Sequence, residues 1–338
     1  MAILYSGQNS DNKIYNPDFD YWDYATSQTS SGFGSDNRGY NIHLGASKTH
    51  SRQAFTLGQV DVPGNPTYYS RTVVTAGSAA GDYCIKQYLI ENVGTLSGGP
   101  ATFSFYAKAD ASKNIATEFV QNFGSGGSPT ASVDSIGGTT HNLTTSWQKF
   151  TSTFNLPSIS GSTLGTNGDD RVTINIWFDA GSDFNTRTGS LGHQSGTFDI
   201  ARMRLVKGTD DGDNINTDMK LDRIHCNRYT YKITSVATYA KFGSGYWDNT
   251  TTANVMLQNP NKMRITPHTL THSGASTFLL RASTGAVALT ALTMTLSNPD
   301  IINLNGTVAS GGVAGEATHL LANASATSYI LVDAEFAP

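Results

Sequence analysis

The stretch from Gly196 to Tyr231 reads GTFDIARMRLVKGTDDGDNINTDMKLDRIHCNRYTY, and its reading decides the fold. It opens as a strand in which Phe198 and Ile200 alternate with Thr197, Asp199 and Ala201. The apolar phase then moves to Met203 and Leu205, which places a bulge near Ala201. A polar loop follows. Thr217 is placed to cap a short helix, with Asp218 in the first turn where a negative charge suits the helix dipole, and with Leu221 and Ile224 on one face. The chain before this helix has the character of a β-sandwich and the chain after it that of a smaller β module.

Working outward, the preceding segments repeat the strand pattern. Tyr68 to Val74, Tyr83 to Ile90 and Ile115 to Val120 are rich in β-branched and aromatic residues. Ala101 to Ala109 sets Phe103, Phe105 and Ala107 inward against Thr102, Ser104, Tyr106 and Lys108, the period of a half-buried strand. After Trp147, Phe150, Phe154 and Leu156 share a face. Asp170 to Ala180 sets Val172, Ile174, Ile176 and Phe178 inward and Thr173, Asn175 and Trp177 outward. Short strands with turn residues between them predict a two-sheet sandwich. Upstream, Ser27 to Arg38 is Ser, Gly and Asn rich and reads as a loop. In NPDFDYWDYATS, Asn16 and Pro17 mark a turn while Phe19, Tyr21 and Trp22 require burial.

Composition agrees. The 338 residues suffice for two domains, and 34 glycines with only 14% charged residues suit strands and tight turns better than helices. The fold class is therefore mostly β: an arm over 1–13, a sandwich over 14–208, a loop and linking helix over 209–231, and a β module over 232–338. The net charge of −4, without a basic cluster, argues against nucleic acid. No apolar run approaches the roughly 18 residues of a membrane helix, so no membrane insertion is expected. MAILYSGQNS turns polar too soon for a secretory signal, which points to synthesis in a cytoplasm. Two cysteines, Cys84 and Cys226, make no disulfide framework and read as buried thiols.

Several of these runs also carry a resemblance. SFYAKADASKN, FVQNFGSGGSPTASV, LTTSWQKFTSTFNLPS, GTNGDDRVTINIWFDAG and FDIARMRLVKG, with a helix ending CNRY, together resemble a module of tail-fibre and other virion structural proteins of tailed bacteriophages. That module is similar to jelly-roll carbohydrate-binding domains, so a jelly roll is what the resemblance implies for residues 14 to 231. Where that family reads CQRYY, this chain has Cys226, Asn227, Arg228, Tyr229, Thr230 and Tyr231. The charge-poor remainder resembles the segment that follows the jelly roll in such proteins, with Met263, Arg264 and Pro267 leading into a strand and LLANASATSYILVDAEF as the last one. The resemblance implies a homotrimer and other virion proteins, of tail or capsid, as partners.

It also implies candidate sites. Jelly-roll sugar binders stack sugar rings on exposed aromatics. The candidates are Tyr40, Tyr68, Tyr69, Tyr106 and Trp177, with Tyr246 and Trp247 as an exposed pair of the second module. Such domains also hold a structural calcium ion where the first strand meets the last, for which Asn16, Asp18 and Asp199 lie on the matching elements. No other cofactor is expected. Catalysis has little support: there are four glutamates, at 91, 118, 316 and 335, and Ser195 in GHQSG stands in the wrong place for a nucleophile elbow. The expectation is a non-enzymatic virion protein, a trimeric tail-fibre or receptor-binding subunit attaching to a host-surface glycan. Capsid decoration is the alternative, and a glycan depolymerase the more distant one.

Overall fold

The structure, a computed structural model, describes residues 12–209, 212, 218–283 and 285–336. The chain divides into two compact units, the first running to Arg223 and regaining the chain at Phe336, the second spanning Ile224 to Glu335. The described residues are mostly β.

In chain order the first unit contains β1 (Ser27–Gln28), β2 (Gly32–Phe33), β3 (Gly39–Leu44), β4 (Ser47–Ala54), β5 (Tyr68–Thr75) and β6 (Tyr83–Glu91). There follow β7 (Gly99–Ala109), β8 (Lys113–Asn122), β9 (Val133–Leu143), β10 (Gln148–Leu156), β11 (Arg171–Ala180), the one-turn α1 (Asn185–Thr188) and β12 (Gly196–Lys207). Two six-stranded sheets result. Sheet I has the order β1-β4-β5-β12-β7-β10 and sheet II the order β2-β3-β6-β11-β8-β9. Neighbours in both sheets pair antiparallel, as a jelly-roll sandwich requires.

Alternation explains the core. Phe103, Phe105, Phe198, Ile200 and Leu205 of sheet I meet Phe119, Val172, Ile174, Ile176 and Phe178 of sheet II in one buried cluster. The Phe119 and Phe154 rings stack with centroids 3.9 Å apart. The predicted bulge is present: register between β12 and β7 shifts between Ala201 and Arg204, with Arg202 at φ 48. One extra residue there returns Met203 and Leu205 to the core.

Three features depart from expectation. Residues 27–38, read as a loop, contain β1 and β2, and Ser35, Asp36 and Asn37 are fully buried. They are buried because the core itself is polar at this end. Lys86 Nζ donates to Asp36 Oδ1 at 2.8 Å, His50 Nε2 lies 2.8 Å from the same oxygen, and the Tyr88 hydroxyl donates to Asp36 Oδ2. Trp22 stacks on His50, and Phe19 is wholly buried. Burial alone would raise the Asp36 carboxyl, but Lys86 and His50 outweigh it and hold it well below the usual range.

Next, the described end of the N-terminal arm is held against β12: the Asn12 side chain donates to Met203 O and accepts from Leu205 N. Residues 1–11 lie outside the described residues. Finally, helix α2 (Met219–Asn227) is capped by Asp218, whose carboxylate accepts from Lys220 N and Leu221 N at 3.0 and 3.2 Å. Thr217, the expected cap, lies outside the described residues. Leu221 and Ile224 are on the exposed side of the helix, while Cys226 is buried.

The second unit has a three-stranded sheet, in which Tyr329–Asp333 lies between Thr230–Thr234 and Thr269–His272, and a seven-stranded sheet centred on Lys241–Trp247. Arg264 donates to Ala334 O and Glu335 O, which holds the segment after Tyr329–Asp333 against this unit. The run expected as one final strand is two, Ala317–Ala322 and Tyr329–Asp333, because the chain turns between them with Ala324 at φ 50.

Candidate functional site

Sheet I presents its outer face as lateral rows, since residues in register across antiparallel strands stand side by side. One row is Ser51, Arg71, Asp199 and Lys108. The next is Gln53, Tyr69, Ala201, Tyr106 and Lys149, with Ala201 a low point between two tyrosines. Val62, from the loop joining β4 to β5, fills that dip and packs with Tyr106 and Ala201. The same loop is braced by Gln59, whose amide donates to Val62 O and accepts from Val62 N.

Three half-buried rings stand at the edge of these rows. The Tyr69 centroid lies 4.8 Å from Phe55 and 5.2 Å from Trp147, and Phe55 lies 5.3 Å from Trp147. Each ring contacts the other two, so their rotamers are mutually fixed and the outer ring faces are held in place before any ligand arrives. Arg71 donates to both Asp199 oxygens at 2.7 and 2.8 Å and to the Tyr69 hydroxyl at 3.3 Å. Its guanidinium sits 5.7 Å from the Tyr69 ring centroid, and Lys108 Nζ sits 5.3 Å from that of Trp147. Burial, reinforced by Asp199, raises the Tyr69 phenol, which therefore remains a hydrogen-bond donor at neutral pH.

Sheet II carries a different row on its outer face: Tyr40, Gln87, Asn175 and Glu118, in register across four strands. Gln87 donates to Asn175 Oδ1 at 2.7 Å, and Asn175 donates to Glu118 Oε1 at 2.8 Å. Trp177 Nε1 and Arg187 Nε of α1 also donate to Glu118, at 3.1 and 2.9 Å. Glu118, Asn175 and Trp177 are buried, so this row is a satisfied network under α1.

The predicted sugar residues thus separate. Tyr69 and Tyr106 share the outer face of sheet I, while Tyr68 points inward and packs against the core, with Arg52 4.5 Å from its ring centroid. Tyr40 is half-buried on sheet II, edge-on to Phe33. Trp177 does face away from the core, as alternation requires, but Phe184 and Arg187 cover it. The exposed pair of the second module is a single residue: Tyr246 is 50% exposed, whereas Trp247 is wholly buried and donates to Arg281 O. Consecutive strand residues point to opposite faces, so the two cannot share one. Phe55 follows β4, whose polar inward residues leave no strand period to mark it, and Trp147 stands just before β10.

The calcium set does not fit an ion. Both Asp199 oxygens are taken by Arg71, Asp18 lies 3.3 Å from Arg202 Nε, and Asn16 Oδ1 accepts from Tyr21 N. A hard cation needs six to eight free oxygens, and here guanidinium groups occupy the carboxylates. Among the described residues no group of three or more His, Cys, Asp or Glu is placed to hold a metal. Asp222 and Asp20 stand apart from this: burial, with Asp18 adding to both, pushes them to about 7 and about 6.

The pieces of a serine triad are not assembled either. His193 Nδ1 lies 3.1 Å from Asp179 Oδ1, but its Nε2 faces Ala79 O, and Ser195 Oγ accepts from Ala76 N.

No family model matches the chain, and no curated protein matches it. Among solved structures, the chain is similar to one described as CBM4 structure and function, with 19% identity over 58% of this chain and 99% of that one, at a TM-score of 0.34. It is similar to a family 11 carbohydrate-binding module from Clostridium thermocellum in complex with a mixed-linked tetrasaccharide, with 11% identity over 54% and 97% and a TM-score of 0.33. The enzymatically active domain of bacteriophage CBA120 tailspike protein 4 is a further likeness, with 12% identity over 59% of this chain and 22% of that one and a TM-score of 0.33.

Proposed function

We propose that this is a non-enzymatic surface protein of a tailed-phage virion that attaches to a glycan through the outer face of sheet I. The observation that carries the reading is the triangle of Phe55, Tyr69 and Trp147, half-exposed and mutually fixed beside hydrogen-bonding side chains. Rigid ring faces with adjacent polar groups are what a sugar needs, since its C–H face packs on π-surface while its hydroxyls take planar donors and acceptors. Such shallow contact is weak singly. A homotrimer, as the sequence resemblance implies, would present three copies and raise the avidity through effective concentration.

Retention of the purified protein on immobilised host-surface polysaccharide tests the attachment reading. Loss of retention in Trp147→Ala and Tyr69→Ala, with the cooperative melt retained, is the expected result; undiminished retention in both rejects this face. Incubation with the polysaccharide should release no reducing ends. Copy number per particle distinguishes a tail subunit, present in few copies, from a capsid decoration present in hundreds.

A further inference from the structure

The two rows beside the ring triangle contain three cations, Arg71, Lys108 and Lys149, and one carboxylate, Asp199. The loop that supplies Val62 adds one exposed acid, Asp61. This local surplus of positive charge stands in a chain whose net charge is −4. We propose that the ligand of this face is an acidic glycan, with sugar carboxylates held by Arg71 on one side of Asp199 or by Lys108 on the other while the sugar ring, or a neighbouring one, packs on Tyr69 and Trp147. The inference rests on the glycan-attachment reading and adds to it the chemical class of the ligand.

Three observations carry it. First, the donors are incompletely used. Arg71 spends Nε and Nη2 on Asp199 and Tyr69, and among the described residues nothing accepts from its Nη1. Lys108 Nζ is 3.9 Å from Asp199 Oδ2, too far for a hydrogen bond, so its three N–H groups are available to a ligand acceptor. Second, each of these two cations is seated against one of the platform rings, Arg71 by Tyr69 and Lys108 by Trp147. A sugar on the rings therefore meets both cations. Third, the cations are partly desolvated, with 31% and 28% of their side chains exposed, so a ligand carboxylate is attracted with less screening than at a fully exposed lysine. Asp199 holds Arg71 in place through a two-point pair, which fixes the geometry and directs a ligand carboxylate away from itself toward Arg71 on one side or Lys108 on the other.

The test uses the full-length protein in affinity electrophoresis through gels containing polygalacturonate, alginate, or the carboxyl-reduced form of each. Expected is retardation by at least one acidic polymer, lost on carboxyl reduction and weakened by raising salt from 20 to 300 mM (about a fourfold shorter screening length). Lys108→Gln should weaken retardation about tenfold, roughly one lost charge-assisted contact, and Trp147→Ala should abolish it. Lys241→Gln, an equal charge change in the second unit, should leave it unaltered. Equal retardation by a polymer and its neutral form overturns the acidic assignment and leaves glycan attachment standing. Retardation by none of the four also overturns it; attachment itself falls only if host-surface polysaccharide is not retained either. A melting curve for Lys108→Gln that matches the parent shows that its loss is one of contact and not of folding.

Discussion

Lys86 Nζ and Asp36 Oδ1 lie 2.8 Å apart with both side chains wholly removed from solvent, at the polar end of a sandwich whose core is elsewhere apolar. Lys86 comes from β6, and Asp36 from the short turn before β3, so the pair fastens an irregular segment to a regular sheet. His50 of β4, on the other sheet, touches both. Burial and the nearby Lys86 hold its imidazole at about 4, neutral at physiological pH.

Removing one partner of this pair strands the other. Asp36→Ala is expected to destabilise the first unit by about 3–5 kcal/mol, because Lys86 is left charged or forced neutral without a partner. The double variant Asp36→Leu with Lys86→Met should recover most of that loss. Urea unfolding of the two singles and the double closes the cycle, and equal additive losses would show that the pair is not coupled.

Asp222 should make stability rise on acidification through neutrality. It and Asp20 have folded values of about 7 and about 6 against an ordinary 3.8, so each binds more protons in the folded state than in the unfolded chain across that window. Their contribution is full below the unfolded value and is lost as pH rises through the folded one. His50 and His141, both lowered to about 4, act with the opposite sign as pH falls through about 6.5, where unfolded histidines take up protons, and they offset much of the gain. Thermal melts of the parent and of Asp222→Asn separate the two: between pH 7.5 and 6.5 the parent should gain about 0.5–1 kcal/mol relative to the variant.

Two tryptophans on outer faces should behave differently. Trp147→Ala is expected to cost about 1 kcal/mol of stability or less while removing a ring of the platform. Trp177→Ala removes a buried ring packed against Phe184 and takes a donor from Glu118, and about 3–5 kcal/mol is expected. Thermal denaturation of the pair separates a surface ring from a covered one.

In the second unit, Gly312 lies against the Trp247 ring, where a Cβ would stand 2.2 Å from Cε3. Gly312→Ala must displace either that backbone or the buried indole, at about 1–3 kcal/mol. Tryptophan emission on urea titration should report earlier unfolding of this variant, and an unchanged midpoint would show that the loop yields freely.

Chelation should do nothing to the melting temperature. With Asp199 paired to Arg71 and Asp18 beside Arg202, excess EDTA is expected to leave the midpoint unaltered. A fall reversed by calcium would show that these carboxylates exchange their arginine partners for an ion.

Alternation by itself determined the sandwich. Wherever one face was apolar, as in β7, β11 and β12, the inward and outward residues were legible, and even the bulge after Ala201 followed from the change of phase. The same rule failed for β3 and β4, because their inward positions are Asn41, Lys48, His50 and Arg52, which erase the hydrophobic period. Those side chains are tolerable inside only because partners from distant strands satisfy them, and no local pattern records that. The site depended on tertiary structure for a related reason. Phe55, Tyr69 and Trp147 come from three separate segments, brought together by the order of strands in sheet I, whereas Trp177 and Trp247 looked just as available until packing covered them. Side-chain direction is a property of one strand, but exposure depends on everything laid over it.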